Sequence, residues 1–315
     1  MAYYVTNRLD GTGRPTTAVV AGTSINAPRH ENEKENDMSR PTRVALVTGA
    51  SSGIGADAAL RLKEAGYTVY GAARRTERMS ALQDAGVNVL SLDVTDDDSV
   101  RTAVDSIIRE SGRVDVLVNN AGYGAYGSIE DVPMVEARAQ MEVNIFGLAR
   151  LTQLVLPHMR AQHSGTVINI SSVGGEFTTL LGGWYHASKY AVEALSDALR
   201  METAQHGIHV VVVQPGSIRT EWGAIAAEKL KETSSTGAYA TMANGAAKAL
   251  AASSAPNART TSEPAVIGKT IVKIANARRP RTRYRVGFGA RPLVFLRRLL
   301  SDRAFDSIMR RAMGV

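Results

Sequence analysis

The chain of 315 residues contains no cysteine. Disulfides, thiol nucleophiles and cysteine-ligated metals are therefore excluded, which fits a reducing compartment. Histidine is scarce as well. The six, at positions 30, 158, 163, 186, 206 and 209, show no metal-ligand spacing, so no metal site is expected. No run approaches about 18 uninterrupted apolar residues, and no membrane-spanning helix is expected. The first 30 residues lack a basic stretch leading into an apolar core, so no secretory signal is expected and a cytoplasmic location is. What is present, 44% hydrophobic and 21% charged residues, is the balance of a globular chain able to bury one large core.

Acidic charge is missing mainly from one place. Residues 278–315 carry eleven arginines against Asp302 and Asp306, a net +9, whereas residues 42–277 carry 21 basic and 23 acidic side chains. Leu293, Val294, Phe295, Leu296, Leu299 and Leu300, then Phe305, Ile308 and Met309, interleave with these arginines. Residues 290–315 thus read as a basic amphipathic tail, able to lie on an anionic membrane or to dock on its own protein. Only Phe295 and Phe305 supply aromatics there and no reader motif is present, so no nucleic acid partner is expected. At the other end, residues 1–41 mix turn formers with the charged run Glu31 to Asp37 and no sustained period. They read as a disordered extension, with Met38 a candidate natural start.

Between these ends the chain alternates strands and helices. Val44-Ala45-Leu46-Val47 is a buried-strand run that leads into Thr48-Gly49-Ala50-Ser51-Ser52-Gly53-Ile54-Gly55 and a helix. Such a turn lets backbone N–H groups and a helix dipole face a phosphate. Strand Thr68 to Ala72 ends in Ala73-Arg74-Arg75, where an acid would accept from the adenosine ribose hydroxyls. Two arginines there favour NADP(H) over NAD(H). A third strand, Val87 to Leu92, runs into Asp93-Val94, placed for a carboxylate to meet the adenine amino group, and Asp96, Asp97 and Asp98 then cap a helix. Strand Val114 to Val118 ends in Asn119-Asn120-Ala121-Gly122, and a long helical region, Val132 to Gln162, carries Asn144. Strand Thr166 to Ile170 ends in Ser171-Ser172, and strand Ile208 to Val213 ends near Pro215-Gly216-Ser217-Ile218-Arg219-Thr220. A further helix, Glu263 to Arg278, and a last strand, Thr282 to Val286, follow. This alternation predicts an α/β doubly wound Rossmann fold, a mostly parallel seven-stranded sheet with helices on both faces, over residues 42–289.

The stretch Trp184-Tyr185-His186-Ala187-Ser188-Lys189 opens a helix that is apolar on more than one face. Tyr185 and Lys189, at i and i+4, share a face. A free phenol titrates near 10, and a nearby ammonium favours the phenolate, bringing the pair toward working range. Alone, such a pair is a common helix accident. The glycine turn, Asp93, Asn120, Ser172 and Pro215-Gly216, however, all fall at strand C-termini, where sheets of this kind bind ligands.

With these motifs in this order the chain resembles the short-chain dehydrogenase/reductase family of the common single-domain type, most like its hydroxysteroid and retinol dehydrogenases. The resemblance implies Tyr185 as general acid and base, with Lys189 lowering its pKa and binding the nicotinamide ribose. It implies Ser172 as the group that holds the substrate oxygen, and Asn144 as the residue ordering a water that links Lys189 to solvent. It further implies a dinucleotide held by Gly49, Ser51, Ser52, Gly53, Ile54 and Gly55, then Arg74, Arg75, Asp93 and Val94. Asn120, Ala121, Gly122, Tyr185, Lys189, Pro215, Gly216, Ile218 and Thr220 complete that set. Ser52 stands where NADP-preferring members often carry a second basic residue, so specificity rests on Arg74 with Arg75 assisting. Residues 221–262 are expected to form a mobile helical lid, and Phe177, Leu180, Trp184 and Trp222 to line an apolar pocket. The implied function is NADP(H)-dependent interconversion of a hydrophobic carbonyl and alcohol, in a homodimer or homotetramer. The rival reading is a non-catalytic NADP(H)-binding sensor or scaffold, which would be expected to have lost Ser172, Tyr185 or Lys189.

Overall fold

The computed structural model describes residues 6–9, 15–18 and 42–312. Residues 1–41 form one unit and residues 42–315 another. In the first, β1 (Thr6–Leu9) and β2 (Pro15–Ala18) pair antiparallel, Thr6 opposite Ala18 and Leu9 opposite Pro15. Within the extension expected to be mostly disordered, this pair is the regular structure among the described residues. Proline is tolerated at the first residue of a strand, where Pro15 stands. The remainder of the extension lies outside the described residues.

In the second unit each short apolar run becomes one strand. These are β3 (Val44–Thr48), β4 (Thr68–Ala73), β5 (Asn88–Ser91), β6 (Val116–Asn119), β7 (Gly165–Ile170), β8 (Ile208–Pro215) and β9 (Arg283–Val286). They pair in the order β5-β4-β3-β6-β7-β8-β9, every pair parallel. Successive side chains of β3 serve opposite faces of the sheet. Ala45 and Val47 pack with Leu62 of α1 (Gly53–Glu64) and Ile271 of α9 (Ala265–Asn276). Val44 and Leu46 pack with Ile107 of α3 (Asp97–Ser111) and Val155 of α5 (Leu148–Ala161). Each such Leu or Ile, fully buried, contributes roughly 1.5–3 kcal/mol. A short α2 (Ser80–Asp84) joins β4 to β5, and Asp96 caps α3 by accepting from Ser99 N–H at 2.8 Å, with Asp97 and Asp98 in its first turn.

The helical region expected over 132–162 is interrupted. Pro133, in extended backbone, precedes α4 (Met134–Met141), and a π-helical turn over Glu142–Gly147 separates it from α5. That wider turn carries Asn144 inward. The register sets Thr48 opposite Ala72, Asn119 opposite Asn169 and Ile170 opposite Val213, so the strand ends form one rim. Helix α6 (Gly183–Thr203) starts at that rim. After β8, α7 (Trp222–Ser234) and α8 (Ala240–Ser253) pack on each other above it.

The tail forms α10 (Ala290–Leu299) and α11 (Asp302–Ala312) and docks on the body. Val294 and Phe305 are buried against Val173 and Phe177, while Phe295 and Leu299 stay exposed. No helix among the described residues is long and apolar enough to cross a membrane.

Candidate active site

The glycine turn is set by backbone geometry. Gly49 and Gly53 hold left-handed backbone, φ +66 and +55. A Cβ on Gly55 would stand 2.3 Å from the Gly49 carbonyl oxygen, so only glycine lets the turn fold onto its own helix. Ser52 precedes α1 in extended backbone and makes no side-chain capping bond among the described residues, leaving the first N–H groups of α1 for an anion. Thr48 Oγ1 accepts from the N–H groups of both Asn120 and Ala121 at 3.0 Å, and Asn120 Nδ2 returns a bond to the Thr48 carbonyl at 2.9 Å. Asn120 therefore braces the turn. These features fit the pyrophosphate of a dinucleotide.

Around this cradle the expected residues divide. Arg74 and Arg75 are exposed beyond β4. Asp93 Oδ1 accepts from Thr95 N–H and Thr95 Oγ1 at 3.0 and 2.8 Å, so one carboxylate oxygen is tied into its own turn. The Val94 side chain is buried in the core and its carbonyl accepts from Arg150, leaving its main-chain N–H as the group to offer an adenine. Gly216 N–H bonds the Val286 carbonyl at 2.8 Å and Ile218 packs on the core, so Pro215-Gly216 holds the last strand as well as the rim. The Thr220 methyl would be 3.1 Å from a Cβ on Gly53, which brings the start of the lid onto the glycine turn.

Ser172, Tyr185, Lys189 and Asn144 converge. Ser172 Oγ accepts from Gly174 N–H at 3.0 Å. Lys189 Nζ donates to the Ile170 carbonyl at 2.9 Å and lies 5.9 Å from the Tyr185 ring centroid. Gly122 is alongside: a Cβ there would stand 3.0 Å from Asn144 Oδ1 and 3.8 Å from Lys189 Nζ. Asn144 Nδ2 donates to the Tyr123 carbonyl and Ser188 Oγ, and Oδ1 accepts from Tyr123 N–H at 3.1 Å. Its side chain locks the loop after β6, so the expected water would have to be ordered by its main chain.

Burial governs the titrating pair. Tyr185 is pushed up to about 12 by desolvation, opposed by the Ser172 hydrogen bond. Lys189 is pushed down to about 8 by desolvation, opposed by the Glu193 charge. The phenol is thus not brought toward neutrality here. Its ammonium neighbour is engaged by a carbonyl, and a buried phenolate loses its hydration.

Residues 43–231 match the short chain dehydrogenase family. The chain belongs to that family. A probable short-chain type dehydrogenase/reductase of Helicobacter pylori is 34% identical over 267 residues, covering 85% of this chain and 96% of its own. The 3-ketodihydrosphingosine reductase of Bacteroides thetaiotaomicron is 45% identical over 56% of this chain and 65% of its own. The NADPH-dependent 3-dehydrocapnine reductase of Ornithobacterium rhinotracheale is 42% identical over 58% of this chain and 68% of its own. Among solved structures, a short-chain dehydrogenase from Streptomyces avermitilis superposes with a TM-score of 0.73, at 34% identity over 87% of this chain and 98% of its own. A metagenomic short-chain oxidoreductase in complex with NADP superposes with a TM-score of 0.61, at 28% identity over 78% and 96%. As a short-chain dehydrogenase the chain is an NAD(P)-dependent oxidoreductase.

The dehydrogenase's ceiling above Tyr185 is aromatic. Trp222 of α7 lies 5.1 Å from the Tyr185 ring, and Tyr126 lies 5.8 Å from both rings. Leu180 joins this cluster, and Leu181 enters it with φ +61, its carbonyl accepting from Gly127 N–H at 2.8 Å. That left-handed leucine costs on the order of 1–3 kcal/mol and persists because the loop around it is fixed. Phe177 is the correction: its ring packs 5.5 Å from Phe305 in the tail, away from the expected pocket. Trp184 places a buried Nε1 that finds no partner among the described residues.

Two site residues escaped the sequence reading. Tyr126 sits in the glycine-rich run Gly122-Tyr123-Gly124-Ala125-Tyr126-Gly127, where no period marks a buried face. His186 follows Tyr185 directly. Its Nε2 accepts from Thr179 N–H at 3.0 Å, so Nδ1 carries the proton and donates to the Gly174 carbonyl at 2.9 Å. Burial lowers its pKa, which keeps it neutral. Gly174 is the residue whose N–H meets Ser172, and that proximity was visible only once the loop was folded.

Proposed function

We propose that the chain is an NADPH-dependent reductase of a hydrophobic ketone, with Tyr185 as the proton donor. The observation that carries this reading is the meeting of Ser172, Tyr185 and Lys189 at the sheet rim beneath an apolar ceiling of Trp222, Tyr126 and Leu180. NADPH, when bound, supplies the hydride that the carbonyl carbon receives. In this reading the Ser172 hydroxyl donates to the carbonyl oxygen as charge develops there. Tyr185 Oη then gives that oxygen its proton. A phenol at about 12 remains a competent donor, because an alkoxide is far more basic than a phenolate. Lys189, still mostly charged at neutral pH, stabilises the phenolate left behind. Main-chain groups at Asn144 are proposed to resupply the proton through water.

Cofactor choice rests on Arg74 and Arg75, exposed beyond β4 and free of the acid that would repel a 2′-phosphate. The apolar ceiling suits a compound such as the 3-ketodihydrosphingosine for which the Bacteroides relative is named. The experiment is a turnover assay with NADPH and NADH on long-chain ketones, aryl ketones and sugars. NADPH oxidation on the apolar ketones supports the reading. Preference for NADH, or for sugars, overturns it.

Two partners are proposed with it. A second copy of the chain fits the exposed Phe146 beside α5, with light scattering as the test of a dimer or tetramer. The outer face of α10, with Phe295 and Leu299 exposed four residues apart and Arg291 a turn earlier, fits a weak contact with an anionic bilayer. Sedimentation with phosphatidylserine vesicles at low and high salt tests it. Binding that salt abolishes supports the contact, and no binding at low salt removes it.

A further inference from the structure

The segment that follows Ser172 cannot set its own shape. Val173–Gly175 is a single turn of 3-10 helix, held by Gly175 N–H to the Ser172 carbonyl at 3.0 Å and Glu176 N–H to the Val173 carbonyl at 2.9 Å. Two of its three residues are glycine, the residue with most backbone freedom to lose. They are needed because the turn is pressed onto α6. A Cβ on Gly174 would stand 2.8 Å from His186 Nδ1, and one on Gly175 2.9 Å from the Lys189 carbonyl. Yet the position of Ser172 Oγ depends on this turn, since Gly174 N–H is its bonding partner.

The outer side of the same segment is held by the end of the chain. Among the described residues, the buried cluster around the docked tail joins Ala290, Val294 and Phe305 to two body residues, Val173 and Phe177, all at or below 8% exposed. Val173 opens this 3-10 turn and Phe177 follows it by two residues. Between them Glu176 accepts from Arg298 of α10 at 2.8 Å, from Arg285 of β9, and from Gln214 Nε2 of β8 at 2.9 Å. Although burial pushes the Glu176 carboxyl up, the hydrogen bonds from Arg285, Gln214 and Arg298 together hold it below the usual range, so it stays an anion. Apolar contact and charge thus fall on one short piece of the molecule, the piece that carries the donor for the substrate oxygen.

We propose that α10–α11 is a positioning element for Ser172, fixing the Ser172–Phe177 segment from outside as His186 fixes it from inside. The arrangement rests on the reading of Ser172 as the group that holds the substrate oxygen. It gives the basic tail a place in the catalytic apparatus: the arginines of β9 and α10 anchor Glu176, and Phe305 closes on Phe177.

The test is a double-mutant cycle in the full-length protein, using the ketone that the parent reduces best with NADPH. Phe305→Ala should lower kcat by about tenfold, since a misplacement well under 1 Å is enough. NADPH affinity should stay within about twofold, because the glycine turn lies elsewhere on the rim. Phe305→Leu should restore most of the rate. In a Ser172→Ala background, Phe305→Ala should change kcat by less than about twofold, because the group it positions is gone. If the tenfold loss persists in that background, or if NADPH affinity falls in step with kcat, the tail is only structural and the proposal fails. Should Phe305→Ala not fold, Arg298→Ala carries the same cycle from the solvent side, with about threefold expected and the same two outcomes. Ser172→Ala alone separates the premises. If it leaves turnover intact, the reading of Ser172 itself is wrong, whereas a large loss there with an additive cycle rejects only the tail.

Discussion

Around the turn from β3 to α1 the groups that face the cleft are mostly main-chain amides, held by close glycine contacts and by two short polar side chains. Gly55 touches the Gly49 carbonyl, and Thr48 and Asn120 bond backbone groups on the neighbouring strand. From Ser172 onward the working groups are side chains, and distant side chains hold them: His186 through Gly174, Phe305 through Phe177, Trp222 against Tyr185. A region built of backbone admits almost no change at a few glycines and tolerates change at most other positions, Arg74 apart. A region built of side chains spreads its sensitivity across the molecule, into the lid and the tail. One sheet edge thus joins a rigid cofactor half to a substrate half that other parts of the chain can tune.

The largest effect expected separates the halves cleanly. Tyr185→Phe keeps the ring under Trp222 and removes the proton, so turnover should fall by about 10²–10⁴-fold while NADPH affinity holds. Steady-state assays beside NADPH fluorescence titration check this, and turnover within a few-fold of the parent would remove Tyr185 from its role. The converse break is Gly55→Val. Its branched side chain cannot coexist with the Gly49 carbonyl 2.3 Å from the Cβ position, and NADPH binding should weaken by about a hundredfold. A folded Gly55→Val protein with parental affinity would mean that the turn is not the pyrophosphate cradle.

Arg74→Ala sharpens the contrast inside the cofactor half, where one side chain is expected to matter. Loss of a charge-assisted bond to the 2′-phosphate should weaken NADPH by about ten- to a hundredfold and leave NADH nearly unchanged. Equal losses for both cofactors would reject the assignment. The smallest effect concerns pH. With Lys189 at about 8 in the fold, ketone reduction should decline as pH rises through 8, and Lys189→Arg should remove that limb from the profile. The sign for stability is opposite. Between about 8 and 10.5 the unfolded lysine binds a proton that the folded one lacks, so this group's contribution rises with pH across that window. A limb that survives in Lys189→Arg would belong to another group.

The same contrast explains what could be read in advance. The seven strands were legible because parallel strands buried on both faces are short apolar runs, as in Val44 to Val47. Ser172, Tyr185 and Lys189 were legible because their spacing is local to one strand end and one helix. The partner of Phe177 was not. It lies 128 positions away, and the amphipathic pattern of the tail fits a bilayer as well as a docked helix. Nor could the π-turn at Glu142–Gly147 be seen, since a single wide turn inside a helix has no breaker signature of its own. Burial of Tyr185 depends on how closely α7 descends, which no motif states.

That descent has an optical consequence. The chain holds two tryptophans, Trp184 and Trp222, and Trp222 stands 5.1 Å from the Tyr185 ring. Replacing Trp184 by phenylalanine would leave a single emitter whose colour and intensity report the wetting of the space above Tyr185. A red shift of that emission would mark water entering above Tyr185, and its change on adding NADPH would read the closure of that space.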